Sequence, residues 1–205
     1  MPQAAGGTEG SDYTARLERL GTARWKQVLD VQAPYRRNLR RLLGDRRVLD
    51  VGCGIGRHLA HLGPGSVGVD HNASSVARCR ADDLEAYTPD ELAAAPGVGP
   101  GAFDGMLVAH LLEHLEPGAA PVVLRPYLPL LAPGARVVLI CPQERGFRSD
   151  PTHTVFLDDR ALRAVGEEIG GVVTEQRSFP FPRAAGRWFT HNEFVTVADL
   201  EGRAA

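Results

Sequence analysis

Apolar positions change their period near residue 47, and the change divides the chain into two textures. Before it, Tyr13, Leu17 and Leu20 fall at helical spacing, and Tyr35, Leu39, Leu42 and Leu43 repeat that spacing more clearly. After it, short apolar runs alternate with helical patterns. Val48-Leu49-Asp50-Val51 reads as a buried strand ending in glycines, with a helix expected over Arg57 to Leu62. Ser66 to Asp70 predicts a second strand, and Ala73 to Asp83 the helix behind it. Glu85 to Thr88, Phe103 to Ala109 and Ala135 to Cys141 predict the third, fourth and fifth strands. A helix over Pro117 to Leu131 is expected to be broken or kinked by Pro121, Pro126 and Pro129. Asp158 to Ile169 is an amphipathic helix closed by Gly170-Gly171, and Val172 to Phe181 with Phe189 to Val197 predicts a final antiparallel pair.

Strands alternating with helices imply βαβ units. The fold class expected is α/β: a Rossmann-like, doubly wound sheet, mostly parallel with an antiparallel final pair and helices on both faces. No repeat or linker divides the chain. A single domain is therefore expected over residues 11–205, with N-terminal helices in 11–45 and an α/β core in 46–205. The small, polar stretch Met1 to Gly10 reads as a disordered tail.

Composition narrows the partners. The net charge is −2, so no global basicity draws the chain to nucleic acid or membrane. Between Arg16 and Arg47 ten basic residues meet only three acidic ones, which reads as a solvated helix face or as a locus for an anion. The bias of 22 arginines against one lysine, Lys26, reflects coding composition more than function. Cys53, Cys79 and Cys141 are widely spaced without a CxxC pair, which speaks against a cysteine metal cluster or disulfide framework. Nothing at the N-terminus resembles a signal peptide and no apolar run approaches a membrane span, so a cytoplasmic location is expected.

The strongest motif is Leu49-Asp50-Val51-Gly52-Cys53-Gly54-Ile55-Gly56. Alternating glycines let backbone approach a ligand without Cβ interference, and a helix N-terminus behind them offers free N–H groups. A dinucleotide fingerprint needs glycine where Arg57 stands, and no Lys-Ser/Thr pair follows to make a P-loop. Asp50, two residues before the glycines, suits a ligand carrying an ammonium group.

The run Val48 to Leu59 resembles the first motif of class I S-adenosylmethionine-dependent methyltransferases. The likeness continues in order along about Arg47 to Leu200. Asp70 ends the second strand, where these enzymes hold the ribose hydroxyls. Thr88 to Asp90 falls where they contact adenine. Phe103 to Ala109 resembles their fourth strand, and Leu130-Leu131-Ala132-Pro133-Gly134 the turn before their fifth. The resemblance implies S-adenosylmethionine as cofactor, bound by Asp50, Gly52, Cys53, Gly54, Gly56, Asp70, His71, Thr88, Asp90 and His110.

After the fourth strand, His110-Leu111-Leu112-Glu113-His114 sets three polar side chains on one face of a helical turn, at the carboxyl end of the sheet. Two readings stay open. Many family members carry Glu-His here as local hydrogen-bonding residues. Others, such as small-RNA 2′-O-methyltransferases, hold a divalent cation with a Glu-x-x-Glu-His run plus a distant histidine. His110 replaces the first glutamate, and His153, in the loop after the fifth strand, is the distant histidine. The ligand set expected under that reading is His110, Glu113, His114 and His153. The cation is magnesium or manganese, and the extra nitrogen leans away from magnesium. His110 and His153 are also the candidate catalytic bases. His191-Asn192-Glu193 reads as structural, His58 and His61 as solvent-facing, and Trp25 and Trp188 as packing residues.

An oxygen acceptor needs its proton removed or its pKa lowered, which histidines or a metal supply. Three of the seven histidines map to the expected pocket, so O-methylation fits best. The favoured acceptor is a small polar molecule, a saccharide such as a mannoside, with another small metabolite or a non-catalytic cofactor-binding module as alternatives. No basic channel or Asn-Pro-Pro-Tyr-like motif points to nucleic acid, no membrane contact is expected, and a homodimer is compatible with the sequence.

Overall fold

The structure, a computed structural model, describes residues 33–201. The expected helix over Tyr13 to Leu20 and the expected tail lie outside the described residues. Seven strands form one sheet: β1 (Val48–Val51), β2 (Val67–Val69), β3 (Ala86–Tyr87), β4 (Phe103–Ala109), β5 (Leu131–Pro142), β6 (Gly171–Phe179) and β7 (Glu193–Leu200). Their order is β3-β2-β1-β4-β5-β7-β6. The first five pair in parallel, and β7 pairs antiparallel with both β5 and β6. The Rossmann-like class expected from the alternating pattern is the one observed.

The strand sequences explain why the sheet is covered on both sides. Every residue of β1 is buried, and so is every residue of β4 except Asp104. Such near-continuous apolar runs suit parallel strands with helices on each face. Period-two alternation sorts them: Leu49, Met106, Val108, Val137 and Leu139 enter one core, while Val48, Leu107, Ala109, Val138 and Ile140 enter the other. Helix α1 (Ala33–Leu43) closes the second core with Leu39, Leu42 and Leu43. On the first, Leu162 and Val165 of α6 (Asp159–Glu168) are buried, and the side chain of Asp158 caps that helix by accepting from Ala161 N at 2.9 Å.

The remaining helices are short: α2 (Ala73–Ala81), α3 (Pro89–Leu92), α4 (Ala120–Leu124) and α5 (Glu144–Phe147). Two departures from expectation and one expected break have local causes. Only a 3-10 turn, Leu59–His61, forms where a helix was expected over Arg57 to Leu62. Six residues between glycine-rich segments are too few to offset helix nucleation. The proline-rich stretch yields α4 and then a 3-10 turn, Arg125–Leu130, with Pro129 inside it, as the missing N–H groups require. β5 starts earlier than expected, at Leu131, and the β4–β5 register shifts between Phe103 and Gly105. No helix among the described residues is long and apolar enough to cross a membrane.

The sheet order reverses between β1 and β4, each of which continues into a loop at its carboxyl end. Open α/β sheets bind ligands outside such a switch point. Because β7 runs back along β5, its first residue, Glu193, sits opposite Pro142 at that same edge.

Leu162 is fully buried between α6 and the sheet. Leu162→Ala is expected to cost about 2–5 kcal/mol, read as a lower urea midpoint at unchanged slope.

Candidate active site

The glycine loop leaves β1 and is held from two sides. Gly52 N and Cys53 N both donate to Val69 O, at 2.8 and 3.2 Å. Asp70, at the end of β2, accepts from Gly54 N through Oδ2 and from Asn72 N through Oδ1, each at 2.8 Å. Cys79 Sγ–H donates to Gly54 O at 3.2 Å, and Cys53 is buried beneath the loop. Gly52 has φ of +77°, and a Cβ there would lie 3.0 Å from Leu111 Cβ. A Cβ on Gly56, at φ +78°, would meet Leu84 Cδ1 at 2.5 Å. Both positions therefore demand glycine, and the first presses the loop against the segment that follows β4.

Asp50 lies under this loop and is 1% exposed. Its Oδ2 has no hydrogen-bond partner among the described residues. Burial, reinforced by repulsion from Asp70, raises its pKa to about 7. A buried carboxylate oxygen without a partner beside a bare backbone cradle fits a ligand with an ammonium group. His71 is exposed, with Nδ1 3.6 Å from Asp70 Oδ1. Thr88 also serves the local structure: its hydroxyl accepts from Glu91 N and its amide donates to Glu91, a capping box that starts α3. The amide is thereby committed, while the hydroxyl keeps its O–H to donate. Asp90 is exposed in the first turn of α3.

At the end of β4 the chain turns sharply, for His110 adopts φ of +57°. That left-handed conformation is uncommon for a residue with a Cβ. It aims the ring between two carboxylates. Nδ1 lies 3.2 Å from Glu113 Oε1 and Nε2 3.0 Å from Glu193 Oε1. Burial alone would lower the pKa of His110, but hydrogen bonds to Glu113 and Glu193 outweigh it and raise the pKa to about 10. Glu113 is fully buried, and His110 likewise overcomes the cost of burial to hold its pKa below the ordinary carboxylate value. Cys141 Sγ–H donates to Glu113 Oε2 at 3.5 Å. His110 therefore stands apart from the other expected ligands: while both ring nitrogens carry protons toward carboxylates, it offers no lone pair to a metal or to a substrate proton.

The other three expected ligands do converge. Glu113, His114 and His153 present ligand atoms that all lie within 4.8 Å of one another. His114 belongs to the 3-10 turn Leu112–His114, and His153 follows α5. Nδ1 of His114 is 3.2 Å from Thr152 O, and Nδ1 of His153 is 2.8 Å from Phe147 O. Backbone carbonyls accept only, so each Nδ1 donates and Nε2 is the nitrogen left uncommitted to the backbone. His153 Nε2 lies 4.0 Å from Glu113 Oε1. Burial, with the nearby His153, lowers the pKa of His114 against the pull of Glu113, which keeps it neutral. Two imidazoles oriented through Nδ1 beside a buried carboxylate are equipped to hold a cation or take a proton.

Three residues carry more than their sequence context suggested. Glu193 is not merely the polar start of a strand; it closes the clamp on His110. A charged residue opening the otherwise apolar β7 was the available signal. His58 is not solvent-facing: its ring stacks on His110 at 6.2 Å between centroids, and burial, with the charge of His110, lowers its pKa to about 3. Trp188 is not a packing residue, since it is 75% exposed.

Comparison with known proteins agrees with this geometry. Residues 25–203 match a family model described as a methyltransferase domain. No curated protein matches the sequence. Among solved structures, an S-adenosylmethionine-dependent methyltransferase from Archaeoglobus fulgidus superposes with a TM-score of 0.63 at 21% identity, over 82% of this chain and 92% of that one. A chain of the Haloferax volcanii complex between the Trm112 methyltransferase activator and a methyltransferase gives 0.68 at 18% identity, over 95% and 96%. The N-methyltransferase NodS of Bradyrhizobium japonicum WM9, in complex with S-adenosyl-L-homocysteine, gives 0.60 at 18% identity, over 81% and 85%.

The state of Asp50 sets a pH dependence. Its carboxyl is protonated below about pH 7 in the free protein, whereas a ligand ammonium favours the carboxylate. Affinity for S-adenosylmethionine measured by calorimetry is therefore expected to fall as pH drops through 7, by at most roughly tenfold per unit. Asp50→Asn should bind weakly with a flat profile. Because the folded pKa lies above the unfolded one, the ionised group costs stability, so the same variant should unfold at higher urea than the parent above pH 7.

Proposed function

The chain belongs to the methyltransferase-domain family, and on that premise we propose that it methylates a hydroxyl of a small polar acceptor, with a saccharide as the favoured class. S-adenosylmethionine supplies an electrophilic methyl group when bound, so the protein's task is alignment, exclusion of water and handling of the acceptor proton. Asp50 and the Gly52–Gly56 backbone receive the amino-acid end of the cofactor, and Asp70 keeps lone pairs for its ribose hydroxyls. Leu111 packs on Gly52, so the segment that presents Glu113 and His114 borders the cofactor loop.

The observation that carries the hydroxyl reading is the convergence of Glu113, His114 and His153 at this edge, their ligand atoms within 4.8 Å of one another and both histidines anchored through Nδ1. A nitrogen acceptor that attacks as a neutral amine has less need of such a cluster. Glu113, His114 and His153 would hold a divalent cation, which lowers the pKa of a coordinated hydroxyl. A second reading is favoured by the 4.8 Å spread of the three ligand atoms. Bonds of about 2.0–2.2 Å demand a tighter set, and His110 already neutralises Glu113. In that reading His153 or His114 takes the acceptor proton directly.

A screen for tritiated methyl incorporation across sugars and other small metabolites, with and without EDTA, tests both. Under the metal reading EDTA abolishes transfer and Mn²⁺ or Mg²⁺ restores it; full activity in EDTA leaves the histidine as base. In either case His153→Ala is expected to lower kcat by about 10²–10⁴-fold while cofactor affinity stays within error. Transfer to amines alone would overturn the hydroxyl assignment.

A further inference from the structure

We propose that the acceptor is an anion, a carboxylate or a phosphate ester, held by an arginine-and-tryptophan rim formed by α5 and the β6–β7 connection. The inference rests on acceptor binding beside Glu113, His114 and His153, and it adds a charge that the proposed function leaves open.

The two segments are packed back to back by glycines. A Cβ on Gly146 would lie 2.5 Å from Thr190 O, and one on Gly186 would lie 1.9 Å from Gln143 Oε1. Arg183 pairs with Glu144 across the join. The close backbone approach sets α5 directly against the β6–β7 connection. Arg145, Arg148 and Arg187 are all exposed and form no salt bridge among the described residues. The charge of Arg187 reaches Glu144, where it helps hold that carboxyl below its ordinary value. Residues 144–148 and 181–189 thus carry four arginines against one carboxylate, Glu144.

Beside this charge stands aromatic surface. Trp188 is 75% exposed and Phe181 48% exposed, with the Phe181 and Phe189 rings in edge contact at 5.1 Å. Exposed tryptophan and phenylalanine amid arginine fit a ligand with one flat face and one negative group better than they fit bulk solvent.

The rim borders the site and is not a remote patch. Phe147, between Arg145 and Arg148, stacks on His153 at 5.5 Å and accepts its Nδ1–H. An acceptor anchored by its anion on this rim would extend past Phe147 toward His153.

The test reads binding through Trp188 itself, in a Trp25→Phe background that leaves it the sole tryptophan. Two matched sets of probes are titrated: glucose against glucuronate and glucose phosphate, and phenol against hydroxybenzoate. The charged member of at least one set should change Trp188 fluorescence at concentrations where its neutral counterpart does not, with carboxylate and phosphate arms telling the sources apart. Arg148→Gln with Arg187→Gln should raise the midpoint about tenfold to a hundredfold, and salt should weaken the parent's response. Arg125→Gln, an exposed arginine ahead of β5, should change nothing. Equal response to charged and neutral probes, no response to any probe, or a midpoint indifferent to the double variant would each overturn the inference. The signal needs neither cofactor nor methyl transfer. A preference for hydroxybenzoate over both sugar anions would refute the saccharide and leave the anionic rim standing.

Discussion

The site depends on the placement of one positive charge. Glu113 and Glu193 are both buried at the same sheet edge, where an uncompensated charge is costly. His110 supplies the compensating charge, at the cost of a left-handed backbone at the end of β4. The clamp fixes Glu113 Oε1 and joins β4 to the antiparallel strand β7. It also turns the chain so that Leu111 covers Gly52 and His114 faces the loop after β5. The glycine loop and the Glu113–His114–His153 cluster are neighbours because this ion-paired turn lies between them.

The polar groups around it divide by what else they touch. His114 and His153 spend Nδ1 on backbone carbonyls and leave Nε2 uncommitted to the backbone, whereas His110 has both nitrogens committed. Asp70 spends one lone pair on each of two backbone amides, so it shapes the glycine loop while retaining capacity for a ligand. Asp50 spends nothing on Oδ2. The residues free to act are those whose other atoms are anchored.

Much of this was legible in the chain. β4 was readable to the residue because a strand buried on both faces is an uninterrupted apolar run. The glycine loop was readable because two of its positions tolerate no Cβ. Even the meeting of Glu113, His114 and His153 followed from strand order, since consecutive parallel strands bring their carboxyl-end loops together. What escaped depends on contacts that no local pattern encodes. Glu193 enters the site only because β7 returns antiparallel beside β5. The inversion at His110 replaces the regular turn that would have put its ring with His114. Thr88 matched a binding position by spacing, and Glu91 three residues on also makes it a helix cap. Trp188 passed for core because a large apolar residue usually is, until the glycine-mediated packing of α5 left it facing outward.

Cofactor and acceptor chemistry are proposed to meet at one edge, with the transferable methyl beside Glu113, His114 and His153. Paramagnetic relaxation by Mn²⁺ measures that proximity directly. With the cation and S-adenosylmethionine both bound, the methyl protons of the cofactor should relax much faster than with Mg²⁺, and His153→Ala should abolish the enhancement while cofactor affinity persists. Methyl protons that relax no faster in Mn²⁺ than in Mg²⁺, with both ligands shown to be bound, would contradict it.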